Sequence, residues 1–103
     1  MTVRHVVMLR RRPDVAEDSA LAERLTGRLD ALGSEVPGID AWLVAANEDD
    51  RPLCWDYVLE AELTGRAALA AYLSHPLHRA LLPELRSYFE LAVVDYHPGG
   101  TGE

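Results

Sequence analysis

The chain has 103 residues and a mass of 11.4 kDa, a length that accommodates one domain with one core. Hydrophobic residues make up 49% and charged residues 26%, a composition that excludes a disordered or fibrous chain. The 17 acidic residues exceed the 10 basic residues, all of which are arginine, so the net charge of −7 disfavours nucleic acid as a partner.

Neither the start of the chain nor its apolar runs indicates export or membrane insertion. Residues 1–5 lack the apolar core of a signal peptide, and the apolar runs are far shorter than the roughly 20 residues that cross a bilayer. The single cysteine, Cys54, is interpreted as a packing residue and not as a nucleophile. We therefore predict a cytoplasmic protein without a membrane partner, with a domain over residues 1–97 and a flexible tail over residues 98–103.

The first half of the chain begins with a strand pattern that is followed by a helix pattern. Residues 3–10 alternate between two faces and are rich in β-branched side chains, which predicts a strand. Asp14, with Glu17 three residues later, predicts a capping box at the start of a helix, and Gly33 predicts its end. One face of that helix is an apolar stripe formed by Leu21, Leu25, Leu29 and Leu32.

The second half contains two further strands, an interrupted helix and a final strand. Residues 39–46 and residues 54–63 predict a pair of strands on either side of a polar loop. A short helix follows, which His75-Pro76 interrupts because proline disfavours the helical conformation of the residue before it. The helical pattern then continues to about Glu90, and the last strand is predicted over residues 91–96.

The resulting order of elements, βαββαβ, is that of the ferredoxin-like α+β fold, in which helices cover one face of a four-stranded antiparallel sheet. The other face of the sheet stays open and exposes apolar side chains from three strands. A second copy packed face to face would bury this patch, which predicts a homodimer. The residues expected on the open face are Val6, Met8, Val58 and either Val93 or Val94.

Three polar side chains belong to faces that should point beneath the helices. His5 alternates with core residues of the first strand and His78 lies on the apolar stripe of the last helix, so both would meet in one pocket near Tyr72. The histidines also have an interpretation as core residues whose polar atoms are satisfied internally, and Tyr72 as a packed aromatic side chain with its hydroxyl at the rim. His75 is interpreted as a helix cap and His97 as a surface residue, and no set of Cys and His side chains suits a metal site.

Three segments resemble a known family: residues 4–9, the sequence AYLSHPLH of residues 71–78, and residues 93–96. Together they resemble the stress-responsive A/B barrel domain, or Dabb, a family of dimeric α/β barrels, over essentially the whole chain. The resemblance implies the ferredoxin-like fold and the face-to-face homodimer.

Polyketide cyclases of the olivetolic acid cyclase type belong to that family, and the resemblance places their catalytic pair at Tyr72 and His78 and a pocket residue at His5. Tyr57 stands where those cyclases carry a pocket histidine. A neutral imidazole is suited to remove a proton between two carbonyls, and a tyrosine hydroxyl to hold the developing oxyanion, so no cofactor is expected. The lining expected for a polyketide-like or other small apolar ligand is Tyr57, Leu59, Leu25, Leu29, Leu82, Phe89 and Val93.

Three functions are open at this point. The first is a cofactor-independent cyclase that performs an aldol reaction on a poly-β-keto substrate, with His78 as base, Tyr72 as hydrogen-bond donor and His5 as orienting group. The second is a non-catalytic stress-responsive or ligand-binding homodimer in which the same side chains brace the fold. The third is a cofactor-free monooxygenase of the same fold, which the His75-Pro76-Leu77-His78 segment disfavours.

Overall fold

A computed structural model describes residues 1–99 of the chain. Within them, the elements confirm the predicted ferredoxin-like α+β arrangement, with the last helix divided in two. Residues 100–103, which hold most of the predicted tail, lie outside the described residues. The elements are β1 (Thr2–Arg11), α1 (Ser19–Glu35), β2 (Ile39–Ala46), β3 (Tyr57–Thr64), α2 (Gly65–Ser74), α3 (Pro76–Tyr88) and β4 (Phe89–Tyr96).

The strands form one antiparallel sheet in the order β2-β3-β1-β4. In β1, Val7 lies opposite Leu59 of β3 and opposite Val93 of β4, whereas Val6 lies opposite Val94. Directly opposed residues of a sheet share a face. Val94 is therefore on the open face, and Val93 is on the face that carries the helices, where it stays 51% exposed.

The core lies between the helices and the covered face of the sheet. The stripe of α1 is buried as predicted, with Leu25, Leu29 and Leu32 each at most 3% exposed. Burial of a leucine side chain contributes about 2 kcal/mol to folding, so this stripe accounts for the position of α1 on the sheet. No helix within residues 1–99 combines the length and apolar character needed to span a membrane.

The capping box predicted at Asp14 is wrong. The helix α1 begins at Ser19, and its N-cap is Asp18, whose side chain accepts a hydrogen bond from the Leu21 N–H at 3.1 Å. Asp14 forms an exposed ion pair with Arg12 at 3.1 Å. An acceptor side chain one turn further along the chain therefore satisfies the first N–H groups of the helix.

The helix end predicted at Gly33 is also wrong, because α1 continues to Glu35. Gly33 serves close packing, not termination: a Cβ atom at this position would lie 2.3 Å from the ring of Trp42 in β2. The absence of a side chain allows the indole to lie against the helix backbone.

Two strand boundaries differ from the prediction. The strand β3 begins at Tyr57 and not at Cys54, because the Cys54 N–H donates to the Arg51 carbonyl at 2.9 Å in a turn. The strand β4 begins at Phe89, so α3 ends at Tyr88, before the predicted limit. The predicted break at His75-Pro76 is confirmed and divides α2 from α3.

The uncovered face of the sheet carries exposed apolar side chains, among them Val94 at 59% exposure. Two ion pairs accompany them: Arg4 with Glu62 at 2.6 Å and Arg10 with Glu90 at 3.2 Å. A contiguous apolar surface beside charged pairs is typical of a protein interface. The large apolar side chains exposed on this face are Met8, Leu43, Val94 and Tyr96.

Candidate active site

A cavity of about 240 Å³ lies between the helices and the covered face of the sheet. The structure brings the three predicted polar residues, His5, Tyr72 and His78, together in its lining. Four residues of the predicted apolar lining contribute to the same cavity: Leu29, Leu59, Leu82 and Val93.

Three residues predicted for this lining lie elsewhere. Leu25 is buried in the core at 2% exposure, while Tyr57 and Phe89 line a second cavity of about 570 Å³ and contact each other edge-on with ring centroids 5.7 Å apart. In the register, Tyr57 lies opposite Leu9, four residues along β1 from His5. Four residues of a strand span about 14 Å, so Tyr57 lies far from His5 although both side chains are on the same face of the sheet.

Tyr72 lines the candidate site and is 1% exposed. Its ring makes edge contacts with three other rings: His78 with centroids 4.7 Å apart, His5 at 5.5 Å and Trp42 at 5.7 Å. Burial raises the pKa of Tyr72, and the negative charge of Asp95 raises it further. The phenol is therefore protonated at neutral pH and is available as a hydrogen-bond donor.

The break between α2 and α3 determines which atom of His78 is basic. In a continuous helix the Leu73 carbonyl would accept from the Leu77 N–H, but that N–H donates to Nδ1 of His75 at 3.1 Å. The Leu73 carbonyl instead accepts a hydrogen bond from Nδ1 of His78 at 3.0 Å. Because a carbonyl only accepts, Nδ1 carries the hydrogen and Nε2 of neutral His78 holds the free lone pair.

The environment of His78 favours its neutral form. Burial lowers the pKa of His78, the nearby His5 also lowers it, and the hydrogen bond to the Leu73 carbonyl acts in the opposite direction. An imidazole with a lowered pKa is unprotonated near pH 7 and can accept a proton there. An imidazole whose environment favours the neutral form therefore contacts a phenol whose environment favours the protonated form. The contact of His75 with Leu77 also confirms the predicted role of His75 as a helix cap.

Asp95 is a site residue that sequence reasoning missed. It lies opposite His5 in the register of β1 and β4, and its carboxylate pairs with Nδ1 of His5, which is 3% exposed. Asp95 shares the helix-covered face of β4 with Leu91 and Val93. That alternation is present in the sequence, but the two possible inward faces of β4 could not be told apart without the register.

The remaining chemically versatile side chains lie outside this cavity. His97 is half-buried, and its Nδ1 donates to the Thr2 carbonyl at 3.1 Å. Cys54 is half-buried in the lining of the second cavity. Over residues 1–99, no group of three or more His, Cys, Asp or Glu side chains converges as metal ligands do.

Known proteins are similar to this chain in sequence or in fold. An uncharacterized protein of Streptomyces coelicolor is 28% identical over 94 residues, which cover 91% of this chain and 97% of that protein. A dimeric ferredoxin-like protein of unknown function from Thermobifida fusca superposes with a TM-score of 0.79 at 24% identity, covering 93% of this chain and 90% of that one.

Two enzymes have the same fold. A hydroxynitrile lyase from Passiflora edulis matches with a TM-score of 0.78 at 16% identity, over 92% of this chain and 91% of that one. SnoaB, a cofactor-independent oxygenase from Streptomyces nogalater, matches with a TM-score of 0.74 at 20% identity, over 93% of this chain and 91% of that one. The fold therefore includes catalytic proteins. The family model of the stress-responsive A/B barrel domain matches residues 3–98, and the chain belongs to this Dabb family.

Proposed function

We propose that the protein is a cofactor-independent enzyme of the polyketide cyclase type, which closes a poly-β-keto or similar small apolar substrate by an intramolecular aldol reaction. The observation that carries this proposal is the contact between Tyr72 and His78 in an apolar cavity, with ring centroids 4.7 Å apart. A protonated phenol and a neutral imidazole at one end of an apolar cavity can together transfer protons to and from a carbonyl compound.

The reaction divides into a proton transfer and a ring closure. Nε2 of His78 accepts a proton from a methylene group between two carbonyls, and the electron pair of that C–H bond forms an enolate. The enolate carbon then attacks another carbonyl carbon of the same molecule, which forms the new C–C bond and turns that carbonyl into an alkoxide. The protonated His78 returns its proton to the alkoxide, so the enzyme ends the cycle as it began it.

Tyr72 lowers the energy of the two anions in this sequence. Its hydroxyl is protonated at neutral pH, as burial and the charge of Asp95 raise its pKa further, so it donates a hydrogen bond to the developing enolate or alkoxide oxygen. Apolar side chains such as Leu59 and Leu82 exclude water from the cavity, which strengthens that hydrogen bond. His5 contacts the Tyr72 ring edge-on and serves as the orienting group.

The test is turnover of a synthetic poly-β-keto thioester by the full chain. We expect His78→Ala and Tyr72→Phe each to lower turnover by about 100-fold or more while their circular dichroism stays unchanged. Tyr57→Phe is a matched control, because this tyrosine lines the other cavity and its variant should react at the wild-type rate. Wild-type turnover in both His78→Ala and Tyr72→Phe contradicts the mechanism. Saturable binding without turnover by the wild type supports the ligand-binding alternative.

We also propose that two copies pack their uncovered sheet faces together. The exposed Val94 and Met8 lie on that face, and solved ferredoxin-like neighbours from Thermobifida fusca and other bacteria are dimeric proteins. Burial of this apolar surface would supply the stability that a small core with helices on one side lacks.

A further inference from the structure

The candidate site has a second charged end. His78, Leu82 and Arg86 follow one another at four-residue spacing in α3, and all three line the same cavity. Side chains at this spacing share one side of a helix. The Cα atoms of His78 and Arg86 are eight residues apart, which corresponds to about 12 Å along the helix axis. The reacting groups and Arg86 therefore lie toward opposite ends of the cavity.

Arg86 has no carboxylate partner within residues 1–99. Five other arginines of that range form ion pairs, and Arg86 is absent from them although the chain has 17 acidic residues. Among the described residues, the cavity lining contains one carboxylate, that of Asp95, and it is paired with His5. The guanidinium of Arg86 is exposed and available to a ligand.

We propose that Arg86 determines substrate specificity by binding a carboxylate, so that the substrate class is a small apolar carbonyl compound that bears a carboxylate group. The planar fork of a guanidinium matches the two oxygens of a carboxylate. The statement that the substrate also carries a reactive carbonyl group rests on the proposed function, whereas the binding of the carboxylate by Arg86 does not depend on turnover.

The charged side chains of the cavity also determine the orientation in which such a substrate binds. Asp95 lies at the end that holds His5, and its negative charge disfavours a second anion there. Arg86 favours the anion at the other end. The apolar stretch between them, which includes Leu82 and Val93, contacts the hydrocarbon part of the ligand. A carboxylate held by Arg86 therefore leaves the carbonyl groups beside Tyr72 and His78.

The volume of the cavity limits the size of the substrate. At about 240 Å³, it is smaller than the roughly 300–1,000 Å³ of sites for drug-sized ligands. A single ring or a folded chain of about ten carbon atoms is the scale that fits, which makes 4-phenylbutanoate a suitable probe. Its amide, 4-phenylbutanamide, has nearly the same shape and no charge.

The experiment measures the affinity of the full chain for both probes by calorimetry and by NMR shifts of the Val93 methyl groups. We expect the wild type to bind 4-phenylbutanoate about tenfold more tightly than the amide, a preference of the size expected for one charged hydrogen-bonded contact. Arg86→Gln should lose the preference, and Arg86→Lys should retain part of it because the charge remains. Arg79→Gln, an exposed residue of the same helix outside the cavity lining, should behave as the wild type.

Binding in the His78→Ala variant separates this proposal from the cyclase mechanism. Its preference for the carboxylate should survive even though its turnover is lost. Wild-type binding of 4-phenylbutanoate by Arg86→Gln overturns the assignment, and so does equal or undetectable binding of both probes by the wild type. Neither result bears on whether His78 and Tyr72 catalyse turnover.

Discussion

The ring of Tyr72 in α2 contacts the imidazole of His78 in α3 edge-on, with centroids 4.7 Å apart and an interplanar angle of 60°. The two residues lie on different helices because the chain breaks at His75, and the same break frees the Leu73 carbonyl that accepts from His78. A local interruption of helix geometry therefore orients the imidazole against the phenol.

Activity should depend on the protonation of His78. Its pKa is lowered from the ordinary value of 6.5, chiefly by burial. We expect kcat/KM to rise with pH through a value below 6.5 and to be level at neutral pH, since only neutral His78 accepts a proton. A pH titration of the His78 ring followed by NMR measures the same transition directly. A His78 pKa at or above 6.5 would contradict the assignment of a desolvated base.

The same shift predicts how stability depends on pH. The unfolded chain binds a proton at His78 more tightly than the folded chain does, so protonation favours unfolding. The contribution of neutral His78 is fully present above pH 6.5 and is lost as the pH falls from there toward the lower folded pKa. Urea denaturation at about pH 5 and about pH 8 should show a smaller difference for His78→Gln than for the wild type. An equal pH dependence in both proteins would count against this linkage.

Replacement of Asp95 by asparagine should alter Tyr72 and His5 together. The negative charge of Asp95 helps to raise the pKa of Tyr72, so Asp95→Asn should move the tyrosine titration to lower pH. The buried His5 keeps a hydrogen-bond acceptor but loses a charged one, and we expect a loss of about 1 kcal/mol in stability. NMR titration of labelled tyrosine and thermal unfolding provide the measurements.

Glu90→Gln is the matched control for Asp95→Asn. Glu90 is on the same strand but pairs with Arg10 on the uncovered face, so its variant should leave the Tyr72 titration unchanged. An identical effect of both variants on Tyr72 would show that the carboxylate of Asp95 acts only through the net charge of the protein.

Two glycines of α1 should respond in opposite ways to alanine. At Gly33 a Cβ atom would lie 2.3 Å from the Trp42 ring, so Gly33→Ala should lower the free energy of unfolding by about 1–3 kcal/mol. At Gly27 nothing lies within 4 Å of the added atom, and Gly27→Ala should raise the free energy of unfolding by about 0.5–1 kcal/mol. Denaturant titration of both variants gives the comparison, and equal effects would refute the close approach of Trp42.

Displacement of Trp42 should also alter the position of Tyr72 in the candidate site. Its ring contacts Tyr72 with centroids 5.7 Å apart, so Gly33→Ala should lower turnover even under conditions in which the variant stays folded. Gly27→Ala should leave turnover at the wild-type rate.

A charge on the uncovered face should disrupt the proposed homodimer. Val94 is 59% exposed and lies opposite Val6 of β1 on that face, so Val94→Glu places a carboxylate in the proposed interface. Sedimentation at micromolar concentration should give a dimer for the wild type and an 11.4 kDa species for the variant. Ala70→Glu, on the exposed side of α2, should sediment as the wild type does. A wild type that sediments only as the 11.4 kDa species refutes the dimer.

Features that depend on neighbours in the chain were predictable from the sequence. The leucine stripe of α1 and the alternation in β1 are periodicities of a few residues, and both elements formed where the pattern indicated. The break at His75-Pro76 follows from the covalent geometry of proline. The helix start was wrong because Asp18, which lacks the capping-box pattern, supplies the N-cap side chain, and the helix end was wrong because Gly33 serves a contact with Trp42 of a distant strand.

The composition of the candidate site was predictable only in part. His5 and His78 could be assigned to inward faces, since His5 alternates with core residues of β1 and His78 lies on the apolar stripe of the last helix, whereas the resemblance to the family identified Tyr72. Asp95 could not be assigned, because β4 is apolar on both faces and its inward face depends on pairing with β1. Tyr57 shares the inward face of β3 with Leu59 but lines another cavity. The alternation of residues in a strand predicts the face on which a side chain lies, but it does not predict which cavity along the sheet that side chain lines.

By itself, the sequence of 103 residues determined one small core, the order βαββαβ and a sheet with one uncovered face, since chain length and short-range periodicity control these properties. Tertiary structure alone decided that Asp95 pairs with His5 and that Arg86 lines the cavity opposite His78. These relationships join residues far apart in the chain, and the strand register and the docking of α3 on the sheet establish them.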